Sequence, residues 1–206
     1  MNNVSELAKK ARELKRKGLS TGEISDELNV SRETALWFIT HRLEDKKEPG
    51  IKDIYVNWRA AGTSPLRLKY LSLALADLIL DALEENVLEL PEVVVGVANS
   101  GIPLANFVAL ELGTDVAVVV PKKHLWEPEK TGEESGYLLG NFADVKGKAS
   151  ILIDDIITTG TTIKETIELL KGLGSTPLMA AVLLDKAGVD TIESIPVKSL
   201  FSVAVV

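Results

Sequence analysis

The chain contains no cysteine and only two histidines, His41 and His124, which lie far apart in sequence. The missing thiols exclude disulfides, thiolate nucleophiles and cysteine-rich zinc sites, and two isolated imidazoles argue against a histidine-built metal centre. Long apolar runs are also missing. The best candidate, Tyr70 to Leu83, is interrupted by Asp77 and Asp81 and falls short of the ~20 residues that cross a bilayer. Met1 to Lys17 is polar and charged, unlike a secretory signal. With 46% hydrophobic and 26% charged residues, the composition is that of a globular rather than a disordered chain. These features lead to the expectation of a soluble, cytoplasmic protein with no membrane partner.

Charge is unevenly spread. Residues 1–47 hold ten Lys and Arg against eight Asp and Glu, whereas residues 48–206 hold 13 against 22. A weakly basic head on an acidic body permits contact with nucleic acid through the head. In that head, the spacing of Val4, Leu7, Ala8, Ala11 and Leu14 predicts an amphipathic helix over 4–17, with Gly18 as its stop. Ser20 or Thr21 caps a second helix through Leu28, where Asn29 supplies a left-handed turn residue. Ser31 caps a third helix reaching about Leu43. A charged stretch from Glu44 ending in Pro49-Gly50 reads as a linker. The expected division is a helical domain over 1–47 and a larger domain over 48–206.

The larger part alternates strand and helix. Strands are expected at Asp53–Trp58, Glu92–Ala98, Asp115–Val120, Ala149–Ile153, Pro177–Leu184 and Lys198–Val206. Helices are expected at Pro65–Glu84, apolar on most faces and so well buried, at Gly101–Leu112 and at Thr162–Leu173. The stretch Pro121–Lys148 shows little periodicity. Strands apolar on both faces, alternating with helices, imply an α/β fold with a mostly parallel sheet covered on both sides.

The most informative string is Ile151-Leu152-Ile153-Asp154-Asp155-Ile156-Ile157-Thr158-Thr159-Gly160-Thr161-Thr162. An apolar strand ends in two carboxylates, and a turn rich in hydroxyls then opens directly into a helix. Helix N-termini present unpaired N–H groups and a partial positive charge, which suits phosphate. Gly160 permits close approach of the backbone, the threonines add O–H donors, and Thr162 with Glu165 is spaced for a capping box. No Walker motif is present. Gly172-Leu173-Gly174 follows a helix rather than a strand, so it reads as a helix stop and not as a dinucleotide fingerprint.

The string resembles the signature of type I phosphoribosyltransferases. That resemblance implies the fold of the family, with Asp154 and Asp155 on the ribose 2′ and 3′ hydroxyls of phosphoribosyl pyrophosphate and Thr158, Thr159, Gly160, Thr161 and Thr162 around its 5′-phosphate. Val95 to Ala105, again strand into helix, resembles the family's pyrophosphate loop, with backbone amides of Ala98, Asn99, Ser100 and Gly101 aimed at the second anion. In that family the loop often holds a non-proline cis peptide. No direct metal ligand is expected; Mg²⁺ would arrive on the pyrophosphate. The resemblance runs from about Ile54 to Val206 and is greatest to orotate phosphoribosyltransferases, including the C-terminal stretch Leu184–Gly188 and Ile195–Leu200.

Transfer chemistry in that subgroup needs a cationic, water-excluding loop. Here Lys122, Lys123 and His124 retain some of that character and would be catalytic if the chain is active. The Lys-x-His-Gly pattern is incomplete, and Glu127, Glu129, Glu133 and Glu134 would repel pyrophosphate. In the head, Ile24 to Thr34 resembles a helix-turn-helix. Ser31, Arg32, Glu33 and Thr34 then fall at the reading end of the recognition helix, and Lys9, Lys10, Arg12, Lys15 and Arg16 are candidates for phosphate contacts. Leu36 and Trp37 sit where such helices usually carry polar groups, which points to packing against the other domain or a partner. The two-part plan resembles archaeal transcription regulators related to orotate phosphoribosyltransferase. It implies a homodimeric regulator that binds double-stranded DNA and phosphoribosyl pyrophosphate or a similar sugar phosphate. The alternatives are an active transferase for orotate or another base with an accessory helical head, and a helical head that serves only in dimerisation or packing.

Overall fold

A computed structural model describes residues 3–40, 56–121 and 136–203 of the chain. The expected 47/48 boundary, the linker, Lys122, Lys123, His124 and the acids of their loop lie outside the described residues.

Three helices form the head: α1 (Asn3–Arg16), α2 (Thr21–Leu28) and α3 (Arg32–Thr40). Ala8, Ala11, Ile24, Leu28, Val30, Ala35 and Phe38 make its small core, with Trp37 and Ile39 packed on the margin. Local chemistry sets each boundary. Ser20 Oγ accepts from the Glu23 amide at 3.2 Å while Glu23 returns a carboxylate to the Ser20 amide at 2.7 Å, a reciprocal cap. Asn29 turns the chain with φ +54°. Ser31 Oγ accepts from the Thr34 amide at 3.1 Å.

A four-residue helix, α4 (Arg59–Gly62), leads into α5 (Pro65–Glu85). The strand expected at Asp53–Trp58 is not found where it is described: residues 56–58 are irregular and Trp58 precedes α4 directly. α5, expected to be well buried, is so along one side only. Leu68, Ser72, Leu75, Ala76, Ile79, Ala82 and Leu83 face inward, whereas Leu66, Tyr70 and Leu80 are exposed. Its apolar residues outnumber what one flank of a sheet can cover.

The remaining elements are β1 (Val93–Val97), α6 (Gly101–Leu112), β2 (Asp115–Val120), β3 (Tyr137–Leu138), β4 (Ala149–Ile157), α7 (Thr161–Gly172), β5 (Thr176–Asp185), β6 (Thr191–Ile192) and β7 (Ile195–Ser202). They form one sheet in the order β3-β2-β1-β4-β5-β7-β6, parallel except for the short edge strands β3 and β6. β7 starts three residues earlier than expected and ends at Ser202. Pro196 lies near the start of β7, where it faces only Thr191 of the two-residue edge strand β6, and pairing with β5 begins at Val197, a position that tolerates proline.

The central strands are buried on both faces because each face has its own core. Ile151 and Ile153 of β4 join the side chains of α5 and α6, while Leu152 and Ile157 join Ile163, Ile167 and Leu170 of α7. From β1 the chain winds through α6 to β2, and from β4 through α7 to β5, on the opposite face and in the opposite direction. β1 and β4 are neighbours. The winding therefore reverses between them, and a crevice opens beyond their C-terminal ends, the usual ligand position in an open α/β sheet.

Candidate functional site

The crevice is where the two motifs meet. Ala98, Asn99 and Ser100 from the β1–α6 turn, Asp154 and Asp155 from β4, and Thr162 from α7 share a cavity of about 110 Å³. Their convergence depends on close backbone packing. A Cβ at Gly101 would strike the Ile153 carbonyl oxygen and lie 3.1 Å from Asp154 Cα, so only glycine lets the start of α6 rest on β4. The Ala98–Asn99 peptide is cis, as the resemblance to the family implies. One correction applies to this turn. The Ala98 amide donates to the Val119 carbonyl at 2.8 Å and serves the sheet rather than an anion, so the expected anion contact falls to Asn99, Ser100 and Gly101.

The carboxylates lie inside β4, which runs four residues beyond its expected end. β1 stops pairing at Gly96–Ile153, so Asp154 and Asp155 project just past the shorter strand, toward the crevice. Both are buried. Asp154 Oδ1 accepts the Asp155 amide at 2.8 Å, and Asp155 Oδ2 accepts the Trp58 indole N–H at 3.0 Å. Burial pushes the Asp155 carboxyl above its ordinary value, and hydrogen bonds from Asp154, the Ile156 amide, Trp58 and its own amide pull it partly back.

In the threonine turn, Gly160 adopts φ +80° and caps α7 with no side-chain bond. The Thr162–Glu165 capping box is therefore not formed, because the helix starts one residue earlier than expected. Thr159 Oγ1 instead accepts the Thr161 amide at 3.3 Å and shares a 2.9 Å contact with the Thr161 hydroxyl. Thr158 Oγ1 is buried with no hydrogen-bond partner among the described residues, an arrangement that costs about 1–3 kcal/mol until a partner supplies the bond.

Three contributors were not legible in the sequence. Trp58, expected in a strand, holds Asp155. Asp26 and Asn29 of the head reach the same crevice: the Thr159 and Thr162 hydroxyls donate to the Asp26 carboxylate at 2.8 and 3.4 Å, and Lys186 donates to the Asn29 carbonyl at 2.9 Å. No local pattern signals such contacts, which join residues more than 90 positions apart.

The head places its expected reading residues unequally. Arg32 and Glu33 are exposed and Ser31 is half-buried. Thr34 is buried, its hydroxyl 2.9 Å from that of Ser31, so it supports the turn and does not face outward. Arg32 lies over the first turn of α2, where a Cβ at Gly22 would sit 2.9 Å from its guanidinium. Of the candidate phosphate contacts, Arg12 donates to the Phe38 carbonyl at the end of α3 at 3.1 Å, and Lys10 pairs with Glu27 at 3.6 Å. Leu36 is exposed, whereas Trp37 stacks edge-on against Phe38 with ring centroids 5.8 Å apart. Trp37 is thus half-buried at the margin of the head's core, while Leu36 beside it stays outward.

Among the described residues no helix is long and apolar enough to cross a membrane, and no group of three or more His, Cys, Asp or Glu is placed to hold a metal ion.

The phosphoribosyl transferase domain family model matches residues 68–204. The chain is 48% identical over 200 residues to transcriptional regulator GfcR 1 of Methanosarcina barkeri, covering 97% of each chain, and 46% identical over 202 residues to GfcR of Methanosarcina mazei, again covering 97% of each. Its fold is similar to that of orotate phosphoribosyltransferase from Mycobacterium tuberculosis, solved in complex with phosphoribosyl pyrophosphate, with TM-score 0.54 at 17% identity over 73% of this chain and 82% of that one. With a sheet, a crevice and a threonine turn of this kind, and with full-length identity at this level, the chain belongs to the GfcR family of archaeal transcriptional regulators, built on a type I phosphoribosyltransferase fold.

Proposed function

We propose that the protein is a DNA-binding regulator whose phosphoribosyltransferase-type domain binds phosphoribosyl pyrophosphate or a related sugar phosphate. The observation that carries the ligand half is the convergence of Asp154, Asp155 and the Thr158–Thr162 turn on the crevice where the winding of the sheet reverses. Asp154 and Asp155 accept hydrogen bonds from the ribose 2′ and 3′ hydroxyls. The turn, with its unpartnered Thr158 hydroxyl and the start of α7, takes the 5′-phosphate. Asn99, Ser100 and Gly101 take the second anion. Mg²⁺ would enter on the pyrophosphate as its counter-charge; Asp154 and Asp155 are engaged by the ribose hydroxyls, so the chain supplies it no direct ligand. For the DNA half, α2 and α3 have the lengths and the Asn29 turn of a helix-turn-helix, with Ser31, Arg32 and Glu33 at the reading end. A homodimer completes the proposal, with the exposed Leu66, Tyr70 and Leu80 of α5 and Leu110 of the neighbouring α6 as the apolar surface it would bury.

Calorimetric titration with phosphoribosyl pyrophosphate and Mg²⁺ tests the site: wild type binds, and the Asp154→Ala, Asp155→Ala double variant, still folded, does not. Unchanged affinity in that variant removes the site assignment. Steady turnover of orotate with phosphoribosyl pyrophosphate would replace the regulator by the transferase.

A further inference from the structure

The head meets the threonine turn through a carboxylate. Asp26, in the last turn of α2, places Oδ1 2.8 Å from the Thr159 hydroxyl and Oδ2 3.4 Å from that of Thr162. An anion spread across two hydroxyls at the start of α7 is the arrangement a phosphate would adopt there. A second contact anchors the head a short way off, where Lys186 donates to the Asn29 carbonyl at 2.9 Å. Asp26 and Glu27 also line the cavity that holds Asp154 and Asp155, with no Lys or Arg among its described lining residues.

These contacts do not tolerate a second anion. A threonine hydroxyl has one proton to donate, so Thr159 and Thr162 serve either Asp26 or a phosphate. A phosphate dianion entering beside Asp26 would also meet like charge in a half-buried cavity, where screening is weak. We propose that Asp26 is an internal stand-in for the ligand's phosphate: the docked head closes the turn, sugar phosphate and docked head exclude one another, and ligand binding releases the head. α2 and α3 move together on release, because Arg32 lies over Gly22 and both helices share the core around Ile24 and Phe38. The inference rests on the threonine turn being the ligand site.

The test is calorimetric titration of the full chain with ribose 5-phosphate, comparing wild type, Asp26→Ala and Lys186→Ala, with hydrogen exchange of residues 21–29 as a second readout. Removing the plug restores the fraction of molecules competent to bind, so Asp26→Ala gains about tenfold or more in affinity. Lys186→Ala, which loosens the head without touching the two hydroxyls, also binds more tightly, and ribose 5-phosphate speeds exchange in α2 of the wild type. If Asp26→Ala binds no better, the carboxylate does not stand in for the phosphate and the switch is overturned; if it gains while Lys186→Ala does not, local charge alone operates and the switch is overturned as well. If none of the three binds ribose 5-phosphate, the turn is not the ligand site and the switch goes with it. Affinity with no change of exchange in α2 keeps the site and refutes the release.

Discussion

Substituting Gly101 is the most direct test of how the crevice is built. A methyl group there would collide with the Ile153 carbonyl oxygen and stand 3.1 Å from Asp154 Cα, where ordinary contacts begin at 3.4 Å. Both obstacles are backbone within a strand paired on each side, so the start of α6 has to yield. Overpacking of a well-packed interior costs typically 1–3 kcal/mol, and a backbone obstacle belongs toward the upper end, about 2–3 kcal/mol. For a chain of this size the melting temperature should fall by roughly 4–12 °C. The same displacement moves Asn99 and Ser100 away from Asp154 and weakens phosphoribosyl pyrophosphate more than ribose 5-phosphate, because the pyrophosphate end is held by that turn. Gly172→Ala is the control: a Cβ there meets nothing within 4 Å, and the change should be neutral or stabilising by at most about 1 kcal/mol. Scanning calorimetry and titration of the two variants decide the matter. If Gly101→Ala melts within a degree of wild type and keeps its ligand preference, the close approach of α6 to β4 is not what shapes the site.

Asp155→Asn should separate binding from stability. Burial raises the folded-state pKa of Asp155 above its ordinary value of 3.8, so its stabilising share is present below that value and is lost as pH rises through the raised one. The Asn variant should therefore melt higher than wild type at neutral pH and lose ribose phosphate, with the melting difference closing as pH falls toward 3.8; a lower melting point at neutral pH contradicts this. Trp58→Phe removes the 3.0 Å indole bond to Asp155 and should destabilise by roughly 1–3 kcal/mol, measured by urea titration; no change would mean that water replaces the indole at no cost. Arg32→Ala should abolish capture of specific fragments from sheared genomic DNA while calorimetric ligand affinity stays intact, and equal capture would remove Arg32 from the reading surface.

The sequence by itself determined the elements whose physics is local. Ser20 or Thr21, Ser31 and Asn29 mark the turns of the head, because a cap needs only its own helix; only the structure decides between Ser20 and Thr21. The double-sided apolar runs of β1 and β4 required a covered parallel sheet, and the acid pair followed by a threonine turn was legible because one strand-to-helix junction contains it all. The lengths of α6 and β2 followed from the same periodicity. Tertiary structure decided the rest. Which side of α5 is covered depends on how much sheet lies beneath it, and Asp154 and Asp155 became strand residues because β5 continues to pair after β1 has ended. Trp58 found Asp155, and Asp26 found Thr159, across separations over which a chain carries no periodic signal. Short-range geometry can be written into neighbouring residues; a carboxylate from one helix meeting the hydroxyls of another is settled only when two separately formed surfaces pack together.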